Sequence, residues 1–167
     1  LVPEWHANTT FAANPAPLLA QVAEAQALGL KAKPVLIGPL TLLWLGKCKG
    51  ADFDRLSLLP ALLRSYQALL TALNDAKVDW VQLDEPILAL DLPAEWLAAF
   101  HITYQTLAAS PLKLLLATYF GSVAEHADLL HSLPLAGVHL DLVRAPEQLA
   151  TLLQGWPQGR VLSAGLI

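Results

Sequence analysis

The chain has 167 residues, of which 55% are hydrophobic and 14% charged, and its mean hydropathy is +0.48. That length suits one domain, and the composition excludes a disordered chain, which is poor in apolar residues and rich in charge. The net charge of −4 argues against nucleic acid as a partner, and a single cysteine, Cys48, allows neither an internal disulfide nor a cysteine-rich zinc site.

Residues 15–28 are the first predicted helix, with Asn14 as N-cap and Pro15 in the first helical position. Leu18, Leu19, Val22 and Ala25 recur at helical spacing, and Gly29 is the stop. Residues 33–38 read as a strand. Its unbroken apolar run is that of a parallel strand covered on both faces. Gly38-Pro39 ends it, and residues 40–45 start a short helix. A long helix follows over 54–76, striped by Leu56, Leu59, Leu63, Tyr66, Leu70 and Leu73. Then come strand 79–83, ending at Asp84-Glu85-Pro86, helix 94–108, strand 113–119, helix 123–133, strand 136–141, helix 146–153 and strand 160–164. The polar stretch 5–14 is a predicted loop. The tryptophans (Trp5, Trp44, Trp80, Trp96, Trp156) are scattered and read as packing residues.

Alternating strands and helices give parallel strands joined by right-handed crossovers. An open doubly wound sheet and a (β/α)8 barrel both satisfy this order. The barrel is favoured, because the phosphate-binding glycine pattern of a dinucleotide fold is absent and polar residues collect at strand C-terminal ends. Five strands do not close such a barrel, and residues 1–3 are read as the tail of a sixth. The expected fold class is therefore α/β: a partial (β/α)8 TIM barrel of about five to six parallel strands with flanking helices, with residues 1–167 forming one incomplete domain. The absence of methionine and the apolar final run, 161–167, point to a piece of a longer protein lacking about two strands before it and one after. A processed chain that has lost its first residue is the alternative. The longest apolar run weighed as a membrane span, 34–46, is short of the ~20 residues required and holds Gly38-Pro39. No signal peptide opens the chain, and the cytoplasm is the expected compartment.

Asp84-Glu85-Pro86 is the sharpest local feature. Neighbours on a strand face opposite ways, so Asp84 shares its side with Gln82 and not with Glu85. One carboxylate can meet the barrel mouth, to hold a substrate ammonium or act as a base, while the other meets a loop; helix capping or loop bracing is the competing reading. His139 and Asp141 share a side of their strand and suit one metal ion, with Tyr119 the nearest, and poor, third ligand. Against this, His139 reads as a core or rim residue and Asp141 as a partner of Arg144. His126 and His131 are about 140° apart on a helix and read as surface residues. Cys48 stands between Lys47 and Lys49 without a base. Lys31, Lys33, Lys47 and Lys49 read as a solvated rim.

Several stretches resemble the N-terminal half of cobalamin-independent methionine synthase: KPVLIGPLTLLWLGK at 33–47, FDRLSLL at 53–59, WVQLDEP at 80–86, ATYF at 117–120, HLDLV at 139–143 and LSAGLI at 162–167. The resemblance runs through the whole chain in order. It implies two face-to-face (β/α)8 barrels that arose by duplication, and transfer of a methyl group from 5-methyltetrahydrofolate polyglutamate to homocysteine. It implies that zinc and homocysteine belong to the C-terminal catalytic barrel, the partner of this segment, through a His, two Cys and a Glu. The positions here that correspond to those ligands are Thr118 to Phe120 and Asp141, without a His-x-Cys. Leu90 stands where the catalytic copy has a second Glu. The resemblance therefore implies a segment with no catalytic and no metal residues of its own. Its low-grade relic of a substrate site is Asp84, Glu85, Tyr119 and Asp141, and the residues linked to the folate tail lie upstream of Leu1. Methyl transfer is expected of the whole protein and not of this segment alone. An autonomous ligand-binding degenerate barrel and a self-associating structural fragment are the competing functions.

Overall fold

Pro39–Leu45 form a short helix because Pro39 suits a first helical turn and apolar residues fill the rest; the same local logic builds each unit of the chain. The computed structural model describes residues 2–50 and 52–166. In order, β1 (Glu4–Trp5), α1 (Ala16–Ala27), β2 (Val35–Ile37), α2 (Pro39–Leu45) and β3 (Lys47–Cys48) make up the first part. A 3-10 turn, Arg55–Leu58, leads into α3 (Leu59–Asp75), β4 (Trp80–Asp84) and a second 3-10 turn, Pro86–Ala89. Then follow α4 (Ala94–Leu107), β5 (Lys113–Ala117), a 3-10 turn at Ala124–His126, α5 (Ala127–Ser132), β6 (Gly137–Asp141), α6 (Gln148–Leu153) and β7 (Val161–Gly165).

Five strands form one parallel sheet in the order β2-β4-β5-β6-β7. Each crossover reaches the next strand on the same side. A doubly wound sheet reverses direction part-way; this progression is that of a barrel wall, and the fold is a partial (β/α) barrel. On the outer side Val81, Leu83, Leu114, Leu116, Val138 and Leu140 join one core with Leu63, Tyr66, Leu70 and Leu73 of α3 and Phe100, Tyr104 and Leu107 of α4. Burying these large side chains, each contributing ~1.5–3 kcal/mol, is what holds helices to sheet.

Five expectations change. Of the expected sixth strand, Leu1 lies outside the described residues and Val2-Pro3 is not a strand. Instead Glu4–Trp5 pairs in parallel with Lys47–Cys48 in a separate two-stranded sheet, and Trp5, expected in a loop, is buried with its indole N–H donating to the Leu43 carbonyl. Strand β2 is not covered on both faces: Val35 is 51% and Ile37 40% exposed, because they face the inner side of the sheet. Asn14 does not cap α1, whose cap position is taken by Pro15. The expected helix 54–76 splits into a 3-10 turn, capped by the Asp54 carboxylate on the Leu56 N–H, and α3. Among the described residues Arg55–Asp75 is by length and composition apolar enough to cross a membrane, but Leu59, Leu62, Leu63, Tyr66, Leu70 and Leu73 are buried in the core.

Candidate functional site

Register places the inner-face side chains in rows. One row is Val35, Gln82, Leu115, Gly137 and Val161, and the next, toward the strand C-terminal ends, is Ile37, Asp84, Ala117, His139 and Ser163. Asp84 and His139 are thus two strands apart, about 10 Å between backbones, with the small Ala117 between them. Tyr119, two residues beyond Ala117, closes the gap. Its hydroxyl donates to Asp84 Oδ1 at 3.3 Å and stands 2.8 Å from Gln82 Nε2, and its ring centroid is 5.5 Å from that of His139.

A polar chain runs across this face. Lys33 Nζ donates to Gln82 Oε1 at 2.7 Å, and Gln82 Nε2 donates to Asp84 Oδ1 at 2.9 Å. Lys33 is exposed, as expected of a rim residue, and it also bonds Gln82. It shares the parity of Val35 and Ile37, and its long stem carries the charge along the inner face. His139 Nδ1 is 2.9 Å from Ser163 Oγ. Partial burial, then the Lys33 charge, hold its imidazole below the usual histidine range, against opposing pulls from Asp141 and Asp84. Partial burial and the adjacent Asp84 charge raise the Tyr119 phenol. Glycine is required at 165, where a Cβ would lie 2.9 Å from His139 Nε2 and from the Leu140 carbonyl. The arrangement offers a carboxylate, a phenol and a neutral imidazole side by side, suited to accepting hydrogen bonds from an ammonium or amine.

Glu85 goes the other way. It is fully buried, and its Oε2 accepts from the Thr41 N–H at 2.8 Å and the Thr41 hydroxyl at 2.6 Å, while Oε1 accepts from the Leu40 N–H at 3.2 Å and the Tyr104 hydroxyl at 3.4 Å. The carboxyl thus caps the first turn of α2 from a neighbouring strand. It lies so close to the backbone that a Cβ on residue 38 would be 2.0 Å from Glu85 Cδ, so only glycine fits there. Burial outweighs these hydrogen bonds and pushes Glu85 up to about 7. Burial, and then the Glu85 charge, also raise the phenols of Tyr66 and Tyr104.

Asp141 is held by backbone. Oδ1 accepts from the N–H groups of Val143 and Arg144 at 3.1 and 3.0 Å, and Oδ2 from Phe120 N–H at 3.1 Å. These bonds, that from Arg144 first, keep its pKa below the usual carboxylate range. Its ion pair with Arg144 spans 3.9 Å. The structure therefore brings Asp84 and Tyr119 into contact, with His139 beside them. Asp141 sits at the adjacent strand end, and Glu85 is on the opposite face. Among the described residues no three His, Cys, Asp or Glu side chains come together to hold a metal. With His139 turned to Ser163 and Asp141 engaged by three N–H groups, these donors do not fit zinc. Cys48 is exposed on β3. His126 and His131 are less exposed than expected. His131 Nε2 is 2.8 Å from the Leu152 carbonyl and its ring meets Trp156, because α5 packs against the end of α6 and the segment after it.

Sequence reasoning missed three supports of the fold, of which Arg160 braces the opposite, N-terminal end of the sheet. Gln148 is buried and bridges loops, accepting from Val123 N–H and donating to the Asp141 carbonyl. Arg160 donates to the carbonyls of Leu130, Leu133 and Leu135. Arg55 lies against Trp44 and Trp96, 5.1 and 5.2 Å from the ring centroids, and donates to the Trp44 carbonyl.

The sequence model of the cobalamin-independent synthase N-terminal domain family matches residues 1–167. The chain belongs to the cobalamin-independent methionine synthase family, as part of its N-terminal domain. It is 59% identical to the 5-methyltetrahydropteroyltriglutamate–homocysteine methyltransferases of Neisseria meningitidis serogroup B and Actinobacillus pleuropneumoniae and 58% identical to that of Haemophilus influenzae. Each match takes in 100% of this chain and 22% of the relative, so the chain spans about a fifth of the family members it matches. Two solved structures share the fold at 14% identity. A candidate vitamin-B12-independent methionine synthase from Listeria monocytogenes has a TM-score of 0.71 over 95% of this chain and 64% of that one. A methyltransferase from Methanosarcina mazei has 0.60 over 89% and 58%. Family membership does not favour an autonomous binding protein or a self-associating fragment.

Proposed function

We propose that this segment is a wall of the N-terminal barrel of a two-barrel cytoplasmic methyltransferase, which moves the methyl group of 5-methyltetrahydropteroyltriglutamate to homocysteine and so makes methionine. The observation that carries this reading is identity near 59% over the whole chain to enzymes named for that reaction. The segment supplies scaffold and one side of the folate-facing cleft, and the zinc site belongs to the C-terminal half. Zinc, when bound there, holds the homocysteine thiol as a thiolate, the nucleophilic form.

The work of these residues is positional. Glu85 fixes α2 against β4, and the Asp141 carboxylate fixes the loop after β5 to the loop after β6. Fixed loops at strand C-terminal ends hold a co-substrate in line with its acceptor, where misplacement by 1 Å costs about 100-fold in rate. Asp84, bound to Gln82 and Tyr119, presents its remaining oxygen lone pairs toward the inner face as a relic acceptor site. Purified full-length protein given zinc, homocysteine and methyltetrahydrofolate triglutamate is expected to form methionine, and residues 1–167 alone are not. Methionine formed by residues 1–167, or none formed by the whole protein, contradicts the reading.

A further inference from the structure

Among the described residues, Phe120 is the one non-glycine residue at this sheet end with a positive φ. Its φ is +74°, a left-handed conformation that costs a bulky side chain about 1–3 kcal/mol. Burial does not compensate, since the residue is 68% exposed. What holds it there is specific: its N–H donates to Asp141 Oδ2, and the Arg144 guanidinium stands 5.6 Å from its ring centroid. The Arg144 side chain is itself 63% exposed. Arg144 also pairs with Asp141, Nε to Oδ2 at 3.9 Å, a distance beyond hydrogen bonding. The loop thus displays an aromatic face beside a guanidinium, at the end of the sheet where barrel enzymes bind substrate.

We infer that Phe120 and Arg144 form a contact site for a flat conjugated ring carrying a nearby carboxylate, with Asp141 as the positioning residue that holds both. This rests on the methyl-transfer reading, in which the matching chemistry is the aminobenzoyl-glutamate part of the folate co-substrate. The ring stacks on Phe120 and the carboxylate pairs with Arg144.

The test uses the full-length, zinc-loaded enzyme. Phe120→Gly removes the ring at a φ that glycine adopts without strain, so folding is preserved. Loss of a stacking contact raises KM for methyltetrahydrofolate triglutamate about three- to tenfold, and weakens p-aminobenzoyl-triglutamate in calorimetry by the same factor. KM for homocysteine stays put, and Phe120→Tyr restores wild-type values. Arg144→Gln gives a loss of similar size that shrinks as salt is raised. If wild type makes methionine but Phe120→Gly leaves both folate KM and p-aminobenzoyl-triglutamate binding unchanged, the assignment is wrong. The same holds if its effect is a lower melting temperature instead, which places the ring in packing against the rest of the protein. If wild type makes no methionine, it is the methyl-transfer reading that fails.

Discussion

Asp84 and Glu85 are adjacent carboxylates with opposite fates. Asp84, last residue of β4, faces the inner side, half-buried, and accepts from Gln82 and Tyr119. Glu85, one residue on, faces the helices with no exposed surface, and four donors from α2 and α4 converge on it. Strand alternation alone separates them. The difference teaches that a conspicuous acidic pair at a barrel strand end divides its labour: one member is available to chemistry and the other is a structural cap.

The largest break in that comparison comes from Glu85→Ala. It leaves two N–H groups and a hydroxyl of Leu40 and Thr41 buried without partners, a loss of about 4 kcal/mol or more in urea unfolding. A loss no greater than that of Asp84→Ala erases the distinction between the two carboxylates. Next is pH. The Glu85 carboxyl is raised from 4.5 to about 7, so between those values the folded chain holds a proton that the unfolded chain releases. The associated stability is complete below pH 4.5 and is lost as pH rises through 7, a decline of about 3 kcal/mol that Glu85→Gln should abolish. An undiminished slope in Glu85→Gln assigns it to other groups. His139, whose pKa is lowered from 6.5, has the opposite sign: its contribution is present above pH 6.5 and is lost on acidification. Asp84→Asn is expected to cost about 1 kcal/mol at most, since its bonds lie near solvent. Tyr119→Phe, which removes one hydroxyl from the same network, costs about 0.5 kcal/mol.

Much of this was legible in the residues. Period-3.6 stripes and apolar runs located all five strands of the main sheet and the helices between them, and the parity of Gln82, Asp84 and Glu85 placed the two carboxylates on opposite faces. The β1–β3 pair was not legible, because two-residue strands carry no periodicity and their pairing joins residues over forty positions apart in sequence. Lys33 is exposed, as a rim residue is, but its bond to Gln82 was not legible, because nothing local shows how far a lysine at a strand's beginning reaches. The bonds of Glu85 to α2 and of Asp141 to Phe120 join separate segments, and such long-range hydrogen bonds leave no local pattern in the chain.

The central claim is that the segment shapes the cleft while zinc is held by the other half of the protein. Zinc content of the full-length enzyme carrying His139→Ala with Asp141→Asn tests it most directly. The account predicts the same zinc stoichiometry as wild type after dialysis against a weak chelator; loss of the metal from that variant, with the fold intact by circular dichroism, would contradict it.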